Sequence, residues 1–214
     1  MSLATLSFQR PTRRAHSTLR ALPAVATLLT VGCASAPPIP PPEAKARAAA
    51  ASSYSGTLRV DLRGPEFRGR ARVLLAFRRP GALRIELPGP TGSRLVVVAR
   101  QDALWAVFPG ERAVLRTRAT APELQALLGV ALTPGEIADI LVGVPPKGLL
   151  RYEARWGSVL PREVRATLPD GARLVAKVED AEIDAALSPA AFDAPAHDGF
   201  RAIDASEARR LWSR

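Results

Sequence analysis

One cysteine, two histidines and only 5% aromatic residues set the first limits on this 214-residue chain. A lone cysteine, Cys33, cannot close an internal disulfide or supply the clustered thiolates of a structural zinc site. His16 sits in the N-terminal segment and His197 in a loop-like stretch near the C-terminus. A multi-histidine metal site or a serine triad therefore lacks its parts, and no metal, cofactor or catalytic residue is expected. The carboxylates Glu66, Asp102, Glu123, Asp139, Asp170 and Asp180 read as turn or helix-start residues, where capping and solvation account for them. Long apolar runs are missing too: Ala21 to Val31 is too short to cross a bilayer as a permanent helix.

What is present suits one folded body. The chain is 47% hydrophobic and 23% charged, within the globular range. Its formal charge is +10, which suggests a nucleic-acid partner. However, the first 33 residues hold Arg10, Arg13, Arg14 and Arg20 and no acid, so removing them leaves 26 basic and 20 acidic residues, a mature charge of +6. The remaining arginines are spread through alternating segments, which reads as solvated outer faces of strands and argues against nucleic acid.

Those four arginines followed by an apolar run have the form of an export signal. The run closes with Leu29-Thr30-Val31-Gly32-Cys33, similar to the lipobox of bacterial lipoproteins, in which small residues precede a cysteine that receives diacylglycerol. Residues 1–32 thus read as a lipoprotein signal peptide, with Cys33 as the lipidation site and the membrane as a partner through that lipid. Residues 33–53, with Pro37-Pro38-Ile39-Pro40-Pro41-Pro42 and an alanine-rich stretch, read as a tether. A multiply acylated N-terminus anchors firmly, so the body needs no membrane helix of its own.

From Gly56 the pattern becomes period two, the mark of half-buried strands. Leu58, Val60 and Leu62 alternate with Arg59, Asp61 and Arg63, then Ala71, Val73, Leu75 and Phe77 with Arg70, Arg72 and Arg78. A third strand carries Leu83, Ile85 and Leu87 and is expected to stop at Pro88-Gly89-Pro90. Residues 94–100, 103–108 and 113–118 continue the meander. Thr120-Ala121-Pro122-Glu123 and Thr133-Pro134-Gly135-Glu136 both have capping-box spacing. They open two short helices whose Leu124, Leu127, Leu128, Ile137, Ile140 and Leu141 should face the sheet. Strands resume at 149–156, 163–168 and 173–183, and residues 188–214 form a tail with a short helix from Ser206 to Trp212. About nine strands and a helical insertion give a mainly β, α+β fold. It is one strongly curved antiparallel sheet that closes, fully or partly, around an apolar lumen.

The order of short motifs in residues 54–187 resembles the outer-membrane lipoprotein receptor LolB and its periplasmic partner LolA. The motifs are Gly56-Thr57-Leu58-Arg59-Val60, Ala71-Arg72-Val73, Leu83-Arg84-Ile85-Glu86-Leu87 with Gly89-Pro90-Thr91-Gly92-Ser93, Ile140-Leu141-Val142-Gly143-Val144-Pro145, Leu160-Pro161-Arg162-Glu163-Val164 and Gly171-Ala172-Arg173-Leu174. The resemblance implies an unclosed barrel of about nine to eleven strands under a helical lid, with a cavity that receives the acyl chains of other lipoproteins. It also implies lipoproteins or a LolA-like carrier as partners. Where the receptor's Gly-Pro-x-Gly turn carries an exposed leucine that helps deliver cargo to the membrane, this chain has Thr91, with little apolar area to insert. Ala34, rather than aspartate, follows Cys33, which by that system's sorting logic implies the periplasmic face of the outer membrane.

Two functions follow as expectations. One is a non-enzymatic module that binds lipid or lipoprotein acyl chains against Val60, Val73, Leu75, Ile85 and Val97. The other is a structural envelope lipoprotein with a packed barrel and no ligand.

Overall fold

The computed structural model describes residues 40, 42–65 and 67–212. The export signal, Cys33 and the Pro-rich stretch through Ile39 lie outside the described residues, as does Glu66. Ten strands form one sheet: β1 (Ser53–Arg63), β2 (Arg68–Arg78), β3 (Ala82–Gly89), β4 (Gly92–Arg100), β5 (Ala103–Phe108), β6 (Ala113–Arg118), β7 (Arg151–Trp156), β8 (Pro161–Thr167), β9 (Arg173–Ile183) and β10 (Arg201–Ala202). Four helices accompany them: α1 (Pro42–Ala49), α2 (Ala121–Leu128), α3 (Pro134–Leu141) and α4 (Ala205–Trp212).

The strand order is β10-β6-β5-β4-β3-β2-β1-β9-β8-β7, antiparallel throughout except for the two-residue β10 beside β6. The sheet is not closed: β7 and β10 are its two edges. Chain order explains this. Strands β1 to β6 follow one another as hairpins, and the next strand then joins at the opposite edge, so α2 and α3 must carry the chain across one face.

Alternation decides which face that is. The register Leu58 to Val73, Val60 to Ala71, and Leu75 to Ile85 to Val97 to Ala106 sets apolar side chains side by side on one face. One large core there joins Leu58, Phe77, Leu83, Leu95, Val97, Leu104 and Phe108 to Leu124, Leu127 and Leu141 of the helices. A second, smaller core gathers Leu62, Leu132, Ile140, Val164, Ala166 and Leu168. Ala48 of α1 and Ala51, from the alanine-rich stretch before β1, are fully buried in the main core.

Two local expectations need correction, while strand β3 ends within Pro88-Gly89-Pro90 as expected, at Gly89, with the register shifting between Leu87 and Pro88 so that Pro88 faces Ser93. Such an irregularity tolerates a residue without an N–H, because the ladder there is already interrupted. The two capping boxes also differ. Thr133 accepts from the Glu136 N–H, and the Glu136 carboxylate accepts from the Thr133 N–H at 2.8 Å, closing the box at α3. Thr120 is the N-cap of α2 but its side chain makes no capping bond. An N-cap oxygen reaches the second or third helical N–H. Pro122 removes the second donor in α2 and Pro134 occupies the first position of α3, but the third-position N–H that closes the α3 box, that of Glu136, has its counterpart in Glu123, so the placement of proline does not account for the difference. Finally, Asp139 and Asp180 are not turn residues: Asp139 lies within α3, bonded to Arg79 at 2.6 Å, and Asp180 lies in β9.

The tail packs on the body. Phe192, at the end of a 3₁₀ turn (Pro189–Phe192), is 1% exposed, and Ala191 O accepts from Arg84 on the outer face of β3. The chain then pairs with β6 and enters α4, whose Ala208 and Leu211 are buried in the main core.

Candidate functional site

Between the inner sheet face and the helices lies a cavity of about 110 Å³. Strand β1 contributes Leu58, Val60 and Leu62, and β2 contributes Gly69, Ala71, Val73 and Leu75. Ile85 and Leu87 come from β3, and Leu174 and Ala176 from β9. Leu128, Val130, Leu132, Ile137, Ile140 and Leu141 of the α2–α3 segment cover them, and Phe67 and Trp212 close the set. The lining side chains are hydrocarbon except for the Trp212 indole, whose Nε1–H is already given to Leu127 O at 2.5 Å. The site therefore offers no free polar side chain to a ligand and can hold one only by excluding water.

Of the residues singled out in the sequence, Val60, Val73, Leu75 and Ile85 line this space, as do Leu128, Ile137, Ile140 and Leu141 from the helices. Val97, 1% exposed on β4, does not: it lies in the packed half of the sheet face, with fully buried Leu124 and Leu127 in the same core. The cavity thus spans β9, β1, β2 and β3, whereas Leu95, Val97, Leu104, Ala106 and Phe108 of β4 and β5 are packed into the main core that also holds Leu124 and Leu127 of α2 and Leu211 of α4. Thr91 is exposed at the tip of the β3–β4 hairpin.

Phe67 and Trp212 form a wall that period-two reading does not reveal. Their rings stack with centroids 4.5 Å apart at 29°. Room for Phe67 comes from two glycines. A Cβ on Gly69 would stand 2.8 Å from the Phe67 ring, and one on Gly129 would stand 3.1 Å from Phe67 Cβ. The available signal was Phe67-Arg68-Gly69: an aromatic residue two positions before a glycine shares its strand face and takes the space left by the missing side chain.

Polar chemistry is sparse on this side of the sheet. Tyr54 is fully buried with its hydroxyl unbonded, and burial, reinforced by the Asp180 charge, pushes its pKa far up, so it stays neutral. Tyr152 is likewise held neutral by burial and donates to Ile140 O at 3.0 Å, tying α3 to β7. Among the described residues, no group of three His, Cys, Asp or Glu side chains could hold a metal ion. No helix among them is long and apolar enough to cross a membrane.

No family model matches the chain, and comparison with curated proteins finds no match. Solved structures similar to it include a DUF1329 family protein from Desulfovibrio piger, at 11% identity and a TM-score of 0.45, covering 73% of this chain and 95% of that one. A putative outer membrane lipoprotein-sorting protein domain from Vibrio parahaemolyticus is similar at 11% identity and a TM-score of 0.43, over 71% and 93% of the two chains. A LolA superfamily protein from Nitrosomonas europaea is similar at 11% identity and a TM-score of 0.44, over 71% and 95%.

Proposed function

We propose that this chain is a non-enzymatic, lipid-anchored protein of the cell envelope, which holds acyl chains of lipids or lipoproteins between its sheet and the α2–α3 lid. The periplasmic face of the outer membrane is the location we assign it, with Cys33 as the anchor and lipoproteins or a LolA-like carrier as partners. One observation carries the reading: an apolar cavity roofed by two short helices, with no free polar side chain in its lining. An acyl chain suits such a place, since each buried methylene contributes about 0.8 kcal/mol without directional contacts. At about 110 Å³ the space is well below the roughly 300–1,000 Å³ typical of small-molecule sites. A long chain therefore enters only as the lid rises. Thr91 in the hairpin tip gives little apolar area for pressing into lipid, so the reading assigns holding rather than delivery to this chain.

The small volume also favours a second reading, a packed barrel that serves as an interaction platform. Leu75→Trp separates the two. In a receptor cavity the indole occupies ligand space, so binding of a fluorescent fatty-acyl probe by lipid-free protein is lost while melting changes little. In a packed core, overfilling costs about 1–3 kcal/mol. A parent protein that binds no probe, together with a mutant that melts much earlier, establishes the packed reading instead.

A further inference from the structure

The sheet's outer face carries a second, unrelated feature. Read singly along the chain, the arginines look dispersed; pairing of β2, β1, β9, β8 and β7 gathers them. One cross-strand row, near the sheet's end, is Arg68, Arg63, Arg173, Thr167 and Arg151. The next is Arg70, Asp61, Val175, Arg165 and Glu153, and the third is Arg72, Arg59, Lys177, Glu163 and Arg155. Of these fifteen positions ten are cations and three are acids; counting Glu179, which bonds both Arg59 and Arg72, an excess of six positive charges remains. Like charges directly opposite each other destabilise a sheet, so the row Arg68–Arg63–Arg173 is unfavourable in the free protein. Arg63 is offset by Asp61, but Arg68 and Arg173 are exposed and have no carboxylate partner among the described residues. Between the rows runs a groove of about 440 Å³ lined by Arg63, Arg151, Arg165 and Arg173, with Asp61 and Glu153.

We propose that this outer face, across β2-β1-β9-β8-β7, docks on a membrane surface by binding the phosphates of anionic lipid headgroups. Charge complementarity carries the commitment. Nine of the ten cations are arginine, whose planar fork pairs with phosphate oxygens two at a time. Their arrangement is two-dimensional: five strands about 4.8 Å apart, in three rows, match a lattice of headgroups rather than a line of phosphates. None of the fifteen positions is aromatic, so the face has no platform on which nucleic-acid bases could stack. The inference does not rest on the cavity, which lies on the other side of the sheet.

The test uses the full chain carrying Cys33→Ser, so that no attached lipid masks the interaction. It is co-sedimented with phosphatidylcholine vesicles with and without phosphatidylglycerol, at several salt concentrations. The parent should prefer the anionic vesicles and lose that preference as salt rises. Combined Arg68→Gln, Arg151→Gln and Arg173→Gln should weaken anionic-vesicle binding about a hundredfold, from roughly fivefold per charge. The three Lys replacements at the same positions should keep most of it. Arg112→Gln, Arg116→Gln and Arg118→Gln together, on and beside β6, remove as much charge from elsewhere and should leave binding at the parental level. Melting curves accompany each variant. If the triple variant melts early, Arg173→Gln alone decides, with about a fivefold loss. Equal binding to both vesicle types overturns the proposal, as does parental binding by the deciding variant. So does tighter binding of duplex DNA or polyglutamate than of anionic vesicles at the same salt.

Discussion

Replacing Trp212 by alanine tests whether the C-terminal helix helps hold the lid. Three contributions are lost. The stacked pair with Phe67, centroids 4.5 Å apart, is worth about 0.5–1.5 kcal/mol beyond its buried area. The Nε1–H bond to Leu127 O contributes about 1 kcal/mol, and its acceptor is one of the last carbonyls of α2, which have no partner within the helix. Because Trp212 is half-buried, its apolar contribution falls below the roughly 3–5 kcal/mol of a fully buried Trp→Ala change. Together the loss should be about 2–4 kcal/mol, which in a domain of this size lowers the melting temperature by roughly 5–15 °C. Trp212→Phe keeps a ring over Phe67 and loses only the N–H, so about 1 kcal/mol is expected. The assay is thermal melting by circular dichroism on lipid-free protein, followed by acyl-probe binding at a temperature where both variants are folded. Removing the indole widens the cavity, so Trp212→Ala should bind the probe at least as well as the parent despite its lower stability. Parental melting in Trp212→Ala would refute the reasoning, because it would mean that α4 does not brace α2.

Cys33→Ser should end membrane retention, seen by fractionation as soluble protein or uncleaved precursor; a processed variant still membrane-bound at the parental level contradicts the lipidation reading. Ile140→Asn places an amide where a side chain 2% exposed now meets Val164 and Leu168, and should cost several kcal/mol, measured by denaturant melting. Unchanged stability would mean that this face of α3 is not packed. Acid should weaken the outer face. Hydrogen bonds from Arg63 and then Arg70 hold the Asp61 carboxyl below the usual carboxylate range, and those from Arg59 and Arg72 do the same for Glu179. Stabilisation from a lowered pKa is complete above the unfolded value of about 4 and is lost as pH falls through the folded one. The melting temperature should therefore decline below about pH 4, less steeply in Asp61→Asn; identical slopes would show that the Arg63–Asp61–Arg70 cluster adds nothing.

Alternation made most of the strands legible because one face is buried and the other wet, and a slip of one residue would exchange them. Strand β9, expected over 173–183, occupies Arg173–Ile183. Local sequence was weaker where two devices share a pattern: the two Thr-x-x-Glu segments look alike, yet only the one at Thr133 closes a box. Non-adjacent strand pairing was not legible. That β1 lies beside β9 is set by the crossover after β6, and this pairing joins the arginines of β1 and β2 to those of β9, β8 and β7 in rows. The same gap explains Val97. It alternates as the cavity residues do, but whether an inward side chain meets space or another side chain depends on what packs against it across the core, and Val97 is closed into the main core with Leu124 and Leu127.

The crossover is also why this sheet has a cavity at all. Had β7 followed β6 as another hairpin, the strands would have continued on the same edge and left the inner face uncovered. Sending the chain to the opposite edge through two eight-residue helices covers that face but cannot fill it evenly. Helix α3 touches β3 and β8, whereas α2 is braced by α4, which itself touches β6. The stretch over β1 and β2 is left to Leu128, Ile137, Ile140 and Leu141 from above and to the Phe67–Trp212 wall from the side. Both ends of the roof are fastened by polar bonds, at one end by the Tyr152 bond to Ile140 O and the Arg79–Asp139 ion pair and at the other by the Trp212 bond to Leu127 O, whereas among the described residues no side chain of the segment between them, Leu128 to Ala138, is hydrogen-bonded to the sheet. A ligand that needs more room than the closed cavity offers displaces that segment first.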